Sequence, residues 1–384
     1  MSDVDVTTIA TRPISNRRIV ARALGGILRP YDADGVEPRL VADFANNFYF
    51  ANNYQVPLST AFTHARSSSA TMVDSTGTLI TVGSNVPRIG HHVYNGSAWV
   101  NEGYLHESEA RTNEITYSED FTDASWVKGD VKAFGSGSVA NTPATVSPDG
   151  GNTASYLQDD GDGAVSPHRI LIVGQTLSSG TLSCFFKAAD YDYAFLGAGD
   201  NTNGGGAIFN LTSGGSVAET NDVGTFVLQS AQTEDYGNGW VRCSIYFTGA
   251  TSVGSEILVV GMNNDATGDW TFPPQPRYAS NTPAGIYIYG AQFEQASTPS
   301  SYIPTSGSTV TRSADTMTVS NLPWPAPNVI GPELVTNGTF DTDSDWIEGG
   351  SWEISGGSAN KPSTGTAVIY QQNVLTVGKV YQIT

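Results

Sequence analysis

Thr181-Leu-Ser-Cys-Phe-Phe-Lys187 and Trp240-Val-Arg-Cys-Ser-Ile-Tyr-Phe-Thr248 are the two stretches that decide the fold. Both alternate in the manner of strands, and each carries one of the chain's two cysteines, Cys184 and Cys243. Similar short runs recur at 154–157, 169–173, 193–197, 206–211, 225–230, 256–262 and 285–293, separated by clusters of Gly, Asn, Asp, Ser and Pro. No amphipathic helical pattern intervenes. Regular strand spacing without helices predicts an all-β protein whose centre is an antiparallel sandwich over residues 113–315. Two cysteines cannot make a disulfide framework. They read either as buried free thiols, since free Cys behaves as a small hydrophobe, or as one cross-strand disulfide.

Composition narrows the function classes. Of 384 residues only 14% are charged, yet the formal net charge is −19. An apolar fraction of 39% is enough to bury a core, which argues against global disorder. The acidic balance argues against wrapping of nucleic acid, which needs a basic surface, and against membrane-surface association for the same reason. No apolar run approaches the length of a membrane-spanning helix. Residues Met1 to Pro30 lack the apolar centre of a secretory signal.

The first segment, 1–40, differs from the rest. Arg12, Arg17, Arg18, Arg22 and Arg29 follow one another with no Asp or Glu between them. Ile14, Ile19, Val20, Leu24, Ile27 and Leu28 add apolar surface that a free tail does not need. The charge asymmetry predicts a basic N-terminal anchoring arm, extended, that docks on an acidic partner or a neighbouring subunit. Residues 41–112 read as a β-rich neck. Its start, 40–56, holds the one short helix the sequence suggests, although Phe48 and Phe50 also alternate as in a strand. Asp74-Ser-Thr-Gly77 and Tyr94-Asn-Gly-Ser97 are turn sequences between β-formers and predict two hairpins.

An internal repeat closes the chain. Asn113 to Phe121, followed by Trp126, is matched by Glu333 to Phe340, followed by Trp346; Gln175 to Cys184 is matched by Asn373 to Ile383. Residues 316–332 between the copies include Asn321-Leu-Pro-Trp-Pro-Ala-Pro327, a stiff Pro-rich linker. Residues 333–384 thus form an incomplete second repeat. Half a sandwich leaves a sheet face and its edges uncovered, so the native chain is expected to continue beyond Thr384.

Glu109-Ala-Arg-Thr-Asn-Glu-Ile-Thr-Tyr-Ser-Glu-Asp-Phe121, with Trp126 after it, resembles the start of jelly-roll modules in tail-fibre and virion-surface proteins of tailed bacteriophages. Asn238-Gly-Trp-Val-Arg242, Ile288-Tyr-Gly-Ala-Gln-Phe-Glu294, and Ser301 to Arg312 closing at Ala314-Asp315 fit the same pattern. The stretch from Phe62 to Thr71 and on through Pro87-Arg88 is similar to the lead-in that precedes such modules. The resemblance covers roughly 62–315, with a weaker second match from 333; the first forty residues match nothing in it. Such modules are similar to carbohydrate-binding, concanavalin-like sandwiches. The resemblance implies a non-enzymatic structural role on the virion surface, as a tail-fibre or spike component for host attachment. A head fibre decorating the capsid is the alternative, and a polysaccharide-degrading or glycan-binding secreted protein is the rival from another class. Implied partners are other virion structural proteins, a host surface glycan and further copies of the chain, a trimer being expected for a fibre.

Few residues carry a signal for chemistry. The histidines match no zinc arrangement, and no nucleophile elbow, Walker loop or His-Glu-x-x-His motif occurs. Asp159, Asp160 and Asp162 crowd carboxylates on a Gly-containing turn, which suits Ca²⁺ as well as it suits a solvated acidic turn. Asp341-Thr-Asp343-Ser-Asp345 opens like an EF-hand loop, but Trp346 and Trp352 occupy the positions that need Gly and Glu. For glycan contact, the Pro-rich segment 263–283 offers Trp270, Phe272 and Tyr278 as stacking faces, with Asn263 and Asp269 as polar partners. A subunit-interface role fits these aromatics equally. Trp126 and Trp240, at strand starts, read as core residues.

Overall fold

The structure is a computed structural model that describes residues 20–24, 27–31, 40–51, 54–134, 145–175, 177–200, 202–249, 256–270, 274–319, 334–349, 352–361, 368–372 and 374. The alternating runs pair antiparallel, and Cys184 stands directly opposite Cys243 in the ladder between Ser179–Lys187 and Trp240–Thr248. Both thiols are free and buried. Two six-stranded sheets result. The first orders its strands Val127–Gly129, Arg169–Gln175, Glu256–Asn263, Tyr193–Gly199, Gly204–Asn210, Ser216–Val223. The second orders them Val131–Phe134, Ser155–Asp159, Gly285–Glu294, Ser179–Lys187, Trp240–Thr248, Val227–Asp235. Side chains from both, among them Leu157, Leu182, Leu196, Phe209, Ile245, Val260 and Ile288, make one continuous core between the sheets. The protein is an all-β antiparallel sandwich.

Central strands are buried on both faces. Gly285–Glu294 has no exposed position at all. A strand with a solvated face would alternate; this one does not, because something covers its outer side. Over the second sheet that cover is the neck: Val73 and Leu79 of the hairpin 70–82 pack with Tyr156, Phe185, Trp240, Tyr287, Tyr289 and Tyr302. Over the first sheet it is Trp270, which packs on Leu171, Phe195, Ile208 and Val259, with Pro274 against Gly197. Glycine in the strands makes that approach possible: a Cβ at Gly197 would collide with the Pro274 carbonyl.

Both hairpins expected in the neck are present, Ala70–Val73 with Leu79–Val82 and Ile89–Tyr94 with Trp99–Tyr104. The helix expected within 40–56 is not. Leu40–Asp43 and Phe48–Ala51 form a hairpin, because Asp43 accepts from the backbone and side chain of Asn46 and Asn47 takes φ +54°, which turns the chain back. A short helix lies after it, at Leu58–Ala61. Part of the basic segment also pairs: Val20–Leu24 and Ile27–Tyr31 are antiparallel, with Arg22 opposite Arg29. Arg12, Arg17 and Arg18 lie outside the described residues.

Neck and sandwich are joined by buried charge. Phe62–Ala65 pairs with Thr316–Val319 beyond the end of the sandwich. Next to that ladder Asp315 accepts from Arg66 Nη1 at 2.9 Å and from Arg88 Nη2 at 2.6 Å. Arg88 and Arg312 in turn contact Glu107 at 2.7 and 3.2 Å. The remaining Arg66 donors go to the carbonyls of Ser68, Val82, Gly83 and Val86, so the guanidinium is held by the neck and satisfied by it.

The chain divides into two compact units, Met1–Ser320 and Asn321–Thr384. In the second unit Ile347–Glu348 pairs with Ile369–Tyr370, and Glu353–Ser355 with Ser358–Asn360. Its opening repeats a detail of the first. Trp126 Nε1 donates to the Tyr117 carbonyl at 2.8 Å, and Trp346 Nε1 to the Asn337 carbonyl at 2.9 Å. Phe121 and Phe340 pack beside the respective indoles, with centroids 5.2 and 5.0 Å away.

Candidate functional site

Three turns and one strand end meet at one end of the sandwich to form a groove of about 570 Å³. Tyr94 and Gly96 come from the second neck hairpin, Leu211 to Gly214 from the turn after Gly204–Asn210, and Asp235 and Gly237 to Gly239 from the turn before Trp240. Lys187 and Ala188 end the strand beneath them.

Each turn is built by local chemistry. Asn95 Oδ1 accepts from the backbone of Ser97 and Ala98, and Asp235 Oδ1 accepts from the Gly237 N–H at 2.8 Å. Asn238 at φ +52° and Gly239 at φ +81° reverse the chain between the strands. Gly214 lies so close to Asp235 that a Cβ there would stand 2.5 Å from the carboxylate Oδ2. The hairpin is locked to the sandwich by Trp99. Its ring lies against Gly77 and Gly237, where there is no room for a Cβ, and against Tyr94 at 5.2 Å between centroids.

The groove carries two charges that are not spent on each other. Lys187 runs its stem along Gly239, and its ammonium has no ion-pair or hydrogen-bond partner among the described residues. Asp235 commits Oδ1 to its own turn and leaves Oδ2 facing Gly214. Thr212, Ser213 and Asn238 add neutral polar groups. One open donor, one open acceptor and an aromatic ring around a concavity make a site for a polar organic ligand.

The segment expected to hold glycan contacts is differently disposed. Asn263 is fully buried and its Nδ2 donates to the carbonyls of Asp265 and Thr267, so it shapes the loop from within. Tyr278 is buried against His168 and donates to Asp159 Oδ2 at 3.3 Å; it belongs to the core and offers no face for stacking. Asp269 is bound by Arg277 at 2.8 Å. Trp270 is half-buried, with Nε1 donating to Glu219 Oε2 at 3.1 Å. Phe272 lies outside the described residues. Trp270 covers the centre of the first sheet.

The acidic turn is likewise divided. The Asp159 carboxylate points inward, accepting from Tyr191 and Tyr278 hydroxyls and the Ala284 N–H. Asp162 accepts from the Ala164 N–H of its own turn, while Asp160 keeps one buried oxygen without a partner. Among the described residues no three His, Cys, Asp or Glu side chains converge as a metal site would require. The histidines serve local structure: His64 and His106 both contact the Tyr104 hydroxyl, and His91 accepts from the Val73 N–H.

Outside the groove lining, the Glu119 neighbourhood has a raised proton affinity. Burial pushes the Glu119 carboxyl above its ordinary range, against the opposing hydrogen bonds from Tyr302 and Tyr289, and Asp149 adds like charge.

The turn motifs of the groove are visible in the sequence as Tyr94-Asn-Gly-Ser97 and Asn238-Gly. Lys187 gives no signal beyond being a cation at the end of an apolar strand. No family model matches the chain, and no curated protein is similar to it.

Proposed function

We propose that the chain is a non-enzymatic structural protein of a tailed-bacteriophage virion, a tail-fibre or spike component held by its N-terminal segment and exposed at the virion surface. Its sandwich presents the turn-built groove to the host, where it takes a surface saccharide. The observation that carries this reading is the groove itself: a concavity of mixed polar and apolar lining at one end of a sandwich whose central strands are covered on their outer sides. Repetition of the Trp clamp in both units supports a modular display protein, in which one design is used more than once along the chain. Other virion proteins and further copies of this chain, as a trimer, are its partners in this reading; attachment to the head in place of the tail changes only where the first residues dock.

Labelled chain added to isolated envelopes of the host bacterium tests the display role. Saturable binding that purified surface polysaccharide competes away is expected, and no binding would sink the reading. Particles assembled with a chain lacking residues 1–31 test the anchor: incorporation is expected to fail, and undiminished incorporation overturns it.

A further inference from the structure

We infer that the groove selects an acidic saccharide, one whose sugar carries a carboxylate, with Lys187 as the counter-charge. The inference rests on the reading of the groove as a saccharide site and adds the class of sugar to it.

Lys187 differs from most of the chain's described cations; Arg169, whose Nε also lacks a partner, lies over Gly129 and does not line the groove. Arg66, Arg88 and Arg312 are consumed in the buried network with Glu107 and Asp315; Arg111 pairs with Glu109 and Arg277 with Asp269. Lys128 is capped by the carbonyls of Thr122 and Asp123, and Arg242 donates to the Ser300 carbonyl and Ser183. Lys187 instead brings an uncompensated ammonium to the wall of the groove. In a chain of net charge −19, an unpaired cation inside a concavity gives a local positive point in a negative field. Its stem lies along Gly239, which places the head at the groove.

Asp235 completes the selection. Its Oδ2 faces the same groove and repels an anion placed beside it, so the ligand's charge must sit at the Lys187 end, with hydroxyls donating to Asp235 at the other. Thr212, Ser213 and Asn238 supply the neutral polar contacts that pyranose hydroxyls need. A free inorganic anion has no hydroxyls for Asp235, and a neutral sugar leaves Lys187 unpaired; an acidic sugar answers both groups.

The test is titration of the full chain with a hexuronic-acid oligosaccharide and with the neutral hexose oligosaccharide of the same linkage, followed by amide chemical shifts and by calorimetry. The expected result is binding of the acidic oligosaccharide at least about tenfold tighter than the neutral one, as one desolvated charge pair allows, with shifts at Gly214 and Gly237–Gly239. Lys187→Gln should remove that preference, and Lys187→Arg should keep most of it. Raised salt should narrow the gap between the two sugars. Equal binding of both sugars at these amides, unchanged in Lys187→Gln, overturns the inference while leaving the groove a saccharide site. Failure of both sugars to shift these amides overturns the inference and the saccharide reading together. Unaltered thermal unfolding of Lys187→Gln shows that any loss is one of binding.

Discussion

Arg88 donates through Nη2 to Asp315 Oδ2 at 2.6 Å, between two fully buried side chains 227 positions apart in sequence. With Arg66 on the other carboxylate oxygen, this pair fastens the neck to the chain just beyond the sandwich. Removing the carboxylate's charge leaves the buried Arg66 guanidinium without an anionic partner and Arg88 with Glu107 alone. Asp315→Asn should therefore destabilise the 1–320 unit by about 3–5 kcal/mol, the usual cost of breaking a buried pair from one side. Denaturant unfolding at pH 7 measures it, and a loss below about 1 kcal/mol would show the network to be dispensable.

The same network sets a pH dependence. Burial alone would push the Asp315 carboxyl up, but the Glu107 N–H and the Arg88 and Arg66 guanidinium groups outweigh it and hold the carboxyl below its ordinary range. Glu107 is lowered likewise, burial being overcome by Arg88, Ser301 and Arg312. A carboxyl depressed in the folded state contributes stability that is complete above its unfolded pKa of roughly 4 and is lost as pH falls through the folded value. Melting temperature should fall from about pH 4 downward in the parent, and less steeply in Asp315→Asn.

Glu119 should do the opposite. Its folded pKa is raised, mainly by burial, so its contribution is complete below the unfolded value of roughly 4.3 and is lost as pH rises through the folded one. Glu119→Gln keeps an acceptor for Tyr289 and Tyr302 and carries no charge to desolvate. It should be neutral or stabilising at pH 7 and flatten the change in stability between about pH 4 and 7. A marked loss of stability at pH 7 would contradict this account of the carboxyl.

The Trp clamps allow the two units to be compared. Trp126 is 1% exposed, and Trp126→Phe both opens a gap in the core and orphans the Tyr117 carbonyl; a cost of about 2–4 kcal/mol to the first unit follows. Trp346 is only half-buried, so Trp346→Phe should cost about 1 kcal/mol and leave the first unit untouched. Amide hydrogen exchange reads the units separately. Equal effects of the two substitutions would deny the difference in burial.

These sites also mark what a sequence exposes to reading. Trp240–Thr248 is legible from end to end, because its residues are β-formers set between turn signals and both faces are buried. The repeat is legible through Trp126 and Trp346, whose spacing to Tyr117 and Asn337 carries the clamp. Ser216–Val223 escapes: it is an edge strand with mostly exposed positions, so nothing apolar recurs along it. The pairing of Arg66 and Arg88 with Asp315 is out of reach for another reason, since only tertiary folding brings those positions together. The groove lies between the two cases. Its Asn-Gly turns can be read, but their meeting with Lys187 is a product of the sheet order.

The cysteines supply the last expectation. Cys184 and Cys243 face each other across one ladder, both fully buried in the core between the sheets, and burial pushes both thiols far above their ordinary range. Cys184 also donates to the Tyr289 carbonyl at 3.3 Å. A thiol reacts through its thiolate, so neither should react with a disulfide reagent while the sandwich is closed. Both should appear together on unfolding, at the same denaturant concentration as loss of the tryptophan signal from Trp240. Cys243→Ser would place a hydroxyl where no acceptor is provided, at a cost of about 1–3 kcal/mol. Rapid labelling of either thiol in the native chain would mean that the two sheets do not close over this ladder as described.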